Sequence, residues 1–531
     1  MPGAAPVAAP APAAAPGPSA IPAPPPPLPA GQRAMGTLVL SLATFMNVLD
    51  ASIANVSLPA ISGDLGASVD QGTRLITGFG IANAIAVPLT GWLAARFGQV
   101  RLFVASVLLF TLASWLCGLA PSLEWLIAFR VLQGLVAGPM MPLSQTLLLG
   151  THPSENAGRA LAIWSMTVLL APIVGPLLGG FITDNFHWPW IFYINVPIGL
   201  FCAAMTWSIY RHRDHPPRRM PVDVVGLVLL VVWVGALQIL LDTGREDDWF
   251  ASTEIRVLAV VSAVGFVFFV VWELHDRHPI VDLRLFANRN FTCGVIALAG
   301  GFALFSGNVV LLPLWLQQHM GYTAIWAGAV LAPVGVFAIM LSPWVGRHIS
   351  RIEPRLLTTV SFFGYGLVLW LRAQVTVESD LFTILMPTVL QGMATAFYFI
   401  PLQAIIYSGL PPARLPAAGG LSTFVRFVAG AVGTSVFTTL WERRASLHHA
   451  RLTEIVDVAG PVALPALQRL REAGFSEAQT LGLVDRLIDQ QAHTMAVTDV
   501  FQLSAWLYLL LLLPLWSTGP MLARPARAVA D

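Results

Sequence analysis

Runs of about 20 apolar residues follow one another along nearly the whole chain, and this feature restricts the fold more than any other. A helix of that length crosses the hydrocarbon core of a bilayer with its backbone hydrogen bonds satisfied internally. The 531 residues are 56% apolar and 11% charged, a composition foreign to soluble globular proteins of this size. The sequence therefore predicts an all-α polytopic membrane protein.

We predict fourteen transmembrane helices, at residues 36–58, 75–95, 100–120, 123–149, 160–182, 188–209, 222–242, 255–273, 291–317, 325–346, 356–373, 381–408, 416–440 and 499–518. Arginines concentrate in alternate short loops, whereas the intervening short loops and their edges hold only Arg74, Arg245, Arg256 and Arg372. Since cytoplasmic loops carry the excess of basic residues, both termini are predicted to be cytoplasmic.

An internal repeat divides the chain into two similar halves. Val131-Leu-Gln-Gly134 recurs as Val389-Leu-Gln-Gly392, and Pro142-Leu143 recurs as Pro401-Leu402. Two similar halves facing a midplane site are typical of secondary transporters. We predict two six-helix bundles with two extra helices between them: an N-terminal bundle, two linker helices and a C-terminal bundle, at residues 35–210, 211–290, and 291–440 with 499–518.

The remaining segments are polar or of low complexity. Residues 1–34 form an Ala/Pro-rich cytoplasmic tail that is predicted to be disordered, and residues 519–531 form a cytoplasmic C-terminal tail. Residues 441–498 carry two helical patterns around a break at Gly460-Pro461 and Pro465, and we predict a periplasmic helical loop there. This loop either caps the protein's own outer face or docks another protein.

Three ionisable residues fall within the predicted spans: Asp50, Arg130 and Arg426. A charge at the bilayer centre costs about 2.5–3.5 kcal/mol on insertion scales, so each is a candidate for proton coupling. Burial favours a neutral carboxyl group and a nearby arginine favours a charged one. A carboxylate that moves between those environments takes up and releases protons. The alternative to a coupling role is a fixed structural ion pair for Asp50 and a hydrogen bond to a backbone carbonyl oxygen for Arg426.

The repeat predicts that the two halves differ in charge. The position of Arg130 falls near the uncharged Thr388 in the second half, and the charge there is expected at Arg426 instead. We therefore expect proton coupling to be concentrated around Asp50 and Arg130.

Neutral polar residues within the spans form interhelical hydrogen bonds by default, but some should line a substrate cavity. The candidates are Asn55, Asn83, Gln133, Asn308, Gln391 and Tyr398. The sequence holds no Gly-rich phosphate loop, no paired His/Cys ligand spacing and no serine with a base in register, so we expect no enzyme, cofactor or metal site. A net charge of +1 argues against nucleic acid as a partner.

Several motifs together resemble the fourteen-helix drug:proton antiporters of the major facilitator superfamily, in particular the EmrB-type multidrug efflux permeases. The resemblance covers about residues 36–518 and rests on Leu49-Asp50-Ala-Ser-Ile-Ala-Asn55-Val-Ser-Leu-Pro59, the Gly91–Arg101 loop, Phe129-Arg130-Val-Leu-Gln-Gly134, Gly175-Pro176-Leu-Leu-Gly179-Gly180, Trp188-Pro-Trp-Ile-Phe-Tyr-Ile-Asn195-Val-Pro197 and Gly321-Tyr-Thr-Ala-Ile-Trp-Ala-Gly328.

The resemblance implies export of hydrophobic toxic compounds in exchange for protons across the bacterial inner membrane, driven by the proton gradient without a cofactor. It implies a periplasmic adaptor and an outer-membrane channel as partners. Asp50 and Arg130 fall on proton-coupling positions. The antiport motif, in which close helix packing governs opening, is Gly175, Pro176, Gly179 and Gly180; the cytoplasmic gating loop contributes Gly91, Arg96, Gly98 and Arg101.

Two positions depart from the family pattern. Ala95 replaces the usual acid of the gating loop, and Ala171 replaces the first glycine of the antiport motif. Because one fold serves many substrates, a proton-coupled carrier of an endogenous metabolite or nutrient is the alternative function, and a non-transporting receptor is a third.

Overall fold

The computed structural model describes residues 28–519, except 68, 153, 215–220, 222, 246–247, 277, 323, 350, 456–468, 470–471 and 473. Helices dominate this part of the chain. They are α1 Ala30–Asp64, α2 Val69–Ala86, α3 Thr90–Phe97, α4 Gln99–Gly118, α5 Leu123–Ala137, α6 Met140–Thr151, α7 Ser154–Asn185, α8 Trp190–Tyr193, α9 Asn195–Tyr210, α10 Val224–Thr243, α11 Thr253–His275, α12 Arg289–Gln318, α13 Ala324–His348, α14 Pro354–Arg372, α15 Leu381–Ala396, α16 Phe399–Tyr407, α17 Leu415–Ile455, α18 Glu477–Leu510 and α19 Leu512–Trp516.

The all-α membrane fold is confirmed, and each predicted span is largely helical in the described chain, with short breaks at residues 87–89, 138–139, 194, 397–398 and 511. Twelve helical segments of the described chain are long and apolar enough to cross a membrane, and the bent pair Arg74–Ala86 and Thr90–Phe97 would make thirteen. The 160–182 span falls within α7. The helix α1 begins at Ala30, so the last residues of the predicted disordered tail are helical; residues 1–27 lie outside the described chain.

Each half of the chain packs into a bundle. In the first, α1 packs on α7 and α9, α2 on α5, and α4 on α5 and α9. In the second, α12 packs on α16 and α17, α13 on α15, and α14 on α15 and α18. Their cores are apolar and contain large buried rings such as Phe103 and Phe110 in the first half and Phe362 and Phe501 in the second. The Gly/Pro interruptions are tolerated because neighbouring helices satisfy the freed backbone groups.

The two extra helices, α10 and α11, pack on each other, and α10 also contacts α2 and α17. They are the most apolar spans, with mean hydropathies of 2.7 and 2.4. Most of their surface is exposed, and valines and phenylalanines such as Val260 and Phe268 cover it. Such a surface is stable only against lipid.

The two bundles meet closely at one end of the molecule. A Cβ atom added at Gly346 in α13 would lie 2.5 Å from the Gly158 carbonyl oxygen in α7. A Cβ atom at Gly91 in α3 would lie 2.7 Å from the backbone of Ala417 in α17. This end, which we call the contact end, also carries the Gly91–Arg101 loop.

At the opposite end, two helices extend beyond the predicted spans. The helix α17 continues to Ile455, and α18 begins at Glu477 with a capping box in which Ser476 and Gln479 exchange side-chain and backbone hydrogen bonds. Both helical patterns predicted for residues 441–498 therefore contain helix. The Gly460-Pro461 and Pro465 break lies outside the described residues.

Candidate functional site

A buried polar cluster around Asp50 lies inside the first bundle. The Asp50 carboxylate is ion-paired with the Arg130 guanidinium through Nη1. It also accepts hydrogen bonds from Gln133 Nε2 at 3.1 Å and from Asn195 Nδ2 at 2.7 Å. Arg130 Nη1 donates to Gln133 Oε1 at 2.7 Å, so the four side chains form one closed network. The structure thus pairs the two charged residues that the sequence analysis singled out in the first half.

Three helices position this network. Asp50 lies in the middle of α1, and Arg130 and Gln133 lie three residues apart on one face of α5, where side chains meet. Asn195 begins α9 directly after the short helix α8. Its amide also donates to Ser114 Oγ in α4 at 2.9 Å, and Ser114 donates to the Phe192 carbonyl oxygen. The network therefore ties α1, α5, α9 and α4 together.

The surroundings are dry and aromatic. Arg130 is 1% exposed and Asp50 is 2% exposed. The guanidinium lies 4.2 Å from the centroid of the Phe79 ring and 5.7 Å from that of Phe192. Cation–π attraction of this kind reaches about 2 kcal/mol when the cation is desolvated. The Asp50 carboxylate, the Gln133 amide oxygen and two aromatic rings thus surround the Arg130 charge.

The network leaves two buried polar atoms without a partner in the described chain: Arg130 Nε and Asn195 Oδ1. A buried unsatisfied group costs about 1–3 kcal/mol. Rearrangements that pair these atoms would offset part of the cost of breaking the Asp50–Arg130 contact.

Arg426 does not join this network. Its Nη2 contacts Met141 Sδ at 3.0 Å, and its guanidinium lies over the rings of Phe302, Phe399 and Phe427. Met141 belongs to the first bundle and α17 to the second, so Arg426 lies at the junction of the two halves. Its contacts are a thioether and aromatic rings, and no carboxylate pairs with it among the described residues.

The second bundle has its own buried guanidinium, and it belongs to Arg372. This residue was predicted at the edge of an outer loop, but it ends α14 and is 2% exposed. Its Nη2 donates to Thr388 Oγ1 at 2.9 Å and to Gln391 Oε1 at 2.7 Å. Gln391 is the repeat equivalent of Gln133. The second half therefore keeps the arginine–glutamine contact through Arg372, which comes from a neighbouring helix, and it also contains the buried Arg426.

The antiport motif packs α7 against α1. A Cβ atom at Gly175 would overlap the Ser52 side chain, and one at Gly179 would lie 3.2 Å from Ile53. Nothing lies within 4 Å of a Cβ atom at Gly180. The Pro176 backbone is helical. Close packing next to Asp50 thus requires Gly175 and Gly179 but not Gly180.

The Gly91–Arg101 loop contains a sharp turn and an ion pair. Gly98 has φ +90°, which favours glycine, and a Cβ atom there would lie 2.5 Å from the Asp214 carboxylate. Asp214 accepts hydrogen bonds from the backbone N–H groups of Val100 and Arg101 and pairs with Arg101 Nε at 3.7 Å. The carboxylate missing at Ala95 is thus supplied from the end of α9. Arg96 lies over the Trp92 ring.

The six neutral residues predicted to line a cavity do not form one site. Gln133 belongs to the Asp50 network and Gln391 to the Arg372 contact. Asn308 lies near Gln391 and donates to Ser504 Oγ at 3.1 Å. Tyr398 is packed among rings and donates to the Leu298 carbonyl oxygen. The side chain of Asn55 is exposed, and that of Asn83 is half-buried.

A large apolar cavity lies between the extra helices and α17. It has a volume of about 810 Å³ and is lined by apolar side chains that include Trp233, Phe266, Phe269, Phe424 and Val428. Drug-sized ligands occupy cavities of roughly 300–1,000 Å³. The cavity is therefore large enough for a hydrophobic small molecule or a lipid chain.

A second buried acid lies where the start of α10 meets the end of α11. Glu273 is fully buried and accepts a hydrogen bond from the Val281 backbone N–H at 3.2 Å. Asp223 caps α10 and accepts from Trp272 Nε1 at 2.9 Å. The structure thus encloses Glu273 although it lies near the end of a predicted span.

Sequence reasoning missed Asn195, Ser114 and Arg372 as members of these networks. Asn195 was quoted only as part of a motif, and its neutral side chain carries no signal of its own. Arg372 could have been found from the repeat, because Gln391 matches Gln133 and needs a comparable donor.

Comparisons with known proteins agree with this architecture. The model of the Major Facilitator Superfamily matches residues 40–434. The chain is 49% identical over 496 residues to the multidrug export protein EmrB of Haemophilus influenzae, covering 93% of this chain and 97% of that one, and 49% identical with the same coverage to EmrB of Escherichia coli K12. It is 46% identical over 495 residues to the fatty acid resistance protein FarB of Neisseria gonorrhoeae, covering 93% and 98%.

Solved structures share the fold at low sequence identity. The human organic anion transporter MFSD10 superposes with a TM-score of 0.56 at 14% identity, covering 91% of this chain and 100% of that chain. A double tryptophan mutant of XylE superposes with a TM-score of 0.58 at 12% identity, covering 91% and 95%.

Proposed function

The chain belongs to the major facilitator superfamily, and we propose that it is a proton-coupled antiporter that exports hydrophobic drugs and toxic compounds. The observation that carries the proton coupling is the buried Asp50–Arg130–Gln133–Asn195 network. A carboxylate and an arginine enclosed in a membrane bundle are energetically costly, and such residues are found mainly where they have a function.

Protonation of Asp50 supplies the coupling step. It removes the negative charge that holds Arg130, so the ion pair opens and the donors of Gln133 and Asn195 face a neutral acid. Arg130 stays charged because a guanidinium does not deprotonate in proteins. The network must then rearrange, and α1, α5 and α9 move relative to each other because it joins them.

The antiport motif would transmit this movement. Gly175 and Gly179 let α7 lie against α1 at Ser52 and Ile53, within one turn of Asp50. We propose that the contact end is cytoplasmic, as the arginine distribution predicts, and that its contacts open when Asp50 changes protonation state. Gly91, Gly158 and Gly346 are the positions where the two bundles would separate.

Two observations support hydrophobic compounds as substrates. Similar chains are named multidrug export and fatty acid resistance proteins, and an apolar cavity of about 810 Å³ opens between the extra helices and α17. Compounds dissolved in the bilayer could enter it without crossing water. The bacterial inner membrane is the proposed location.

We also propose a periplasmic adaptor and an outer-membrane channel as partners. The extensions of α17 and α18 support an adaptor contact, because they carry exposed apolar side chains such as Leu447, Leu481 and Leu487. Substituting Leu481 and Leu487 by glutamate is expected to abolish export from intact cells while leaving transport in vesicles unchanged.

The deciding experiment is transport in inverted membrane vesicles with an imposed pH gradient. Antiport predicts that a gradient acidic inside drives a hydrophobic dye into the vesicles, and that Asp50→Asn abolishes this uptake. The alternative carrier function predicts that the same gradient drives substrate out or has no effect. Gradient-driven uptake that persists in Asp50→Asn would contradict the assignment of coupling to Asp50.

A further inference from the structure

Two histidines and one aspartate meet where the end of α12 contacts α18, on the side of the protein opposite the contact end. His319 follows α12, and Asp489 and His493 lie four residues apart on one face of α18. His319 Nδ1 lies 3.6 Å from Asp489 Oδ2, and His493 Nδ1 lies 3.2 Å from Asp489 Oδ1. Potential ligand atoms of all three lie within 4.8 Å of one another.

The backbone around this cluster is held from several sides. Gln490 Nε2 donates to the His319 carbonyl oxygen at 2.7 Å, and Trp441 Nε1 donates to the His493 carbonyl oxygen at 3.0 Å. One turn before His319, Trp315 Nε1 donates to Thr494 Oγ1 at 3.0 Å. The two imidazole rings stack with their centroids 3.9 Å apart. Three chain segments thus hold the backbone from which the three side chains extend.

The cluster differs from the other histidine–aspartate contacts on these helices. His449 pairs with Asp485 in α18 at 3.3 Å, and His448 pairs with Asp499 at 2.9 Å, each histidine with one carboxylate. Only Asp489, among the described pairs, lies between two imidazoles. Two stacked imidazole rings repel each other if both are protonated to the positively charged form. A cation shared by one carboxylate and two neutral imidazoles therefore balances the charge of the cluster better.

We propose that His319, Asp489 and His493 bind a divalent transition-metal cation of the Zn²⁺ class. Zinc takes imidazole nitrogen and carboxylate oxygen at about 2.0–2.2 Å, so ligand atoms in a tetrahedral site lie roughly 3.3 Å apart. The two histidine nitrogens lie 3.2 and 3.6 Å from different oxygens of the Asp489 carboxylate, and one ligand atom from each residue lies within 4.8 Å of the others, so side-chain rotations would bring the three to that spacing. Three protein ligands leave one position open, and the half-exposed Asp489 carboxylate provides a path for entry.

The bound cation would replace one existing contact. His493 Nδ1 also lies 2.9 Å from the Asp489 carbonyl oxygen, and it exchanges that contact for the metal. The site then clamps the end of α12 to α18 within the second bundle. It is independent of the proposed antiport, since none of its residues belongs to the Asp50 network.

The test measures Zn²⁺ binding to the purified full chain carrying a tag without histidines. We expect one Zn²⁺ per chain by isothermal titration, a rise in melting temperature with added Zn²⁺, and a tetrahedral visible absorption spectrum with Co²⁺. Removing a supporting group around a metal ligand typically weakens binding 10–100-fold, so His319→Gln and His493→Gln should each weaken it by at least about tenfold.

His449→Gln is the matched control, because it removes a histidine–carboxylate pair between the same helices and should leave binding unchanged. Asp489→Asn removes the shared carboxylate from a more exposed position, and its melting temperature without metal shows whether it folds. The proposal is overturned if wild-type protein binds no Zn²⁺, or if His319→Gln, His493→Gln and Asp489→Asn bind it as tightly as His449→Gln does. None of these readouts depends on transport.

Discussion

Replacing Asp50 by asparagine tests the physical basis of the coupling network. Asparagine keeps the shape of the side chain but removes its charge and turns one acceptor into a donor. In the native cluster, three donors point at the carboxylate: Arg130 Nη1, Gln133 Nε2 and Asn195 Nδ2. The amide oxygen of the variant cannot accept from all three, and its NH₂ group faces another donor.

The expected loss is large because the arginine stays behind. Removing one partner of a buried ion pair costs about 3–5 kcal/mol, since the other charge is left uncompensated. Arg130→Gln should cost less than Asp50→Asn, because a buried carboxylate can take up a proton whereas a guanidinium cannot lose one. The double variant removes both charges. It should therefore be more stable than the sum of the single losses predicts, by about 0.5–3 kcal/mol.

A double-mutant cycle measures this coupling energy. The free energy of unfolding of the four proteins is obtained by denaturant titration in mixed micelles, followed by tryptophan fluorescence. A second cycle combining Asp50→Asn with Arg372→Gln is the control, because Arg372 lies in the other bundle and shares no partner with Asp50. Distant sites are additive to within about 0.5 kcal/mol. Additivity of Asp50→Asn and Arg130→Gln to the same degree would refute the ion-pair reasoning.

Three further outcomes follow from the structure. Gly175→Ala should reduce pH-driven dye transport severalfold because its methyl group overlaps Ser52, whereas Gly180→Ala, which meets no neighbour, should transport normally; equal activities would remove the packing argument. Arg372→Gln should lower the free energy of unfolding by about 1–3 kcal/mol yet keep its response to a pH gradient, and a lost response would place a coupling group in the second bundle. Burial lowers the pKa of His152 from 6.5. The contribution of this residue to stability is therefore complete above that pH and falls as the pH drops below it. The difference in melting temperature between acidic and neutral pH should be smaller in His152→Gln than in the wild type.

The fold class and the importance of Asp50 and Arg130 could be predicted from the sequence because both follow from the bilayer. Hydrocarbon permits only helices with internally satisfied backbones, so apolar runs translate directly into spans. A charge within such a run needs a partner, so Asp50 and Arg130 stood out by rarity. The repeat predicted two bundles because a four-residue motif recurred at the same place in each half.

Neutral residues carried no comparable signal. Asn195 and Ser114 look like any polar residue in a span, and only the packing of α9 against α1 and α4 brings them to Asp50. Tyr398 and Asn308, expected in a substrate cavity, instead donate hydrogen bonds to neighbouring helices, at the Leu298 carbonyl oxygen and Ser504 Oγ. The direction of a side chain from a helix depends on its rotation, and the low amphipathicity of membrane spans leaves that rotation undetermined.

The sequence by itself determined that the chain is a helical membrane protein with two related halves and a rare buried acid–base pair. Only the tertiary structure placed Arg372 beside Gln391. Arg372 and Gln391 lie on different helices, α14 and α15, and no spacing along the chain connects them. The packing of α12 on α18 likewise brings His319 next to Asp489. Contacts between distant segments are decided by helix packing, because the energy that selects them belongs to the assembled bundle and not to either segment.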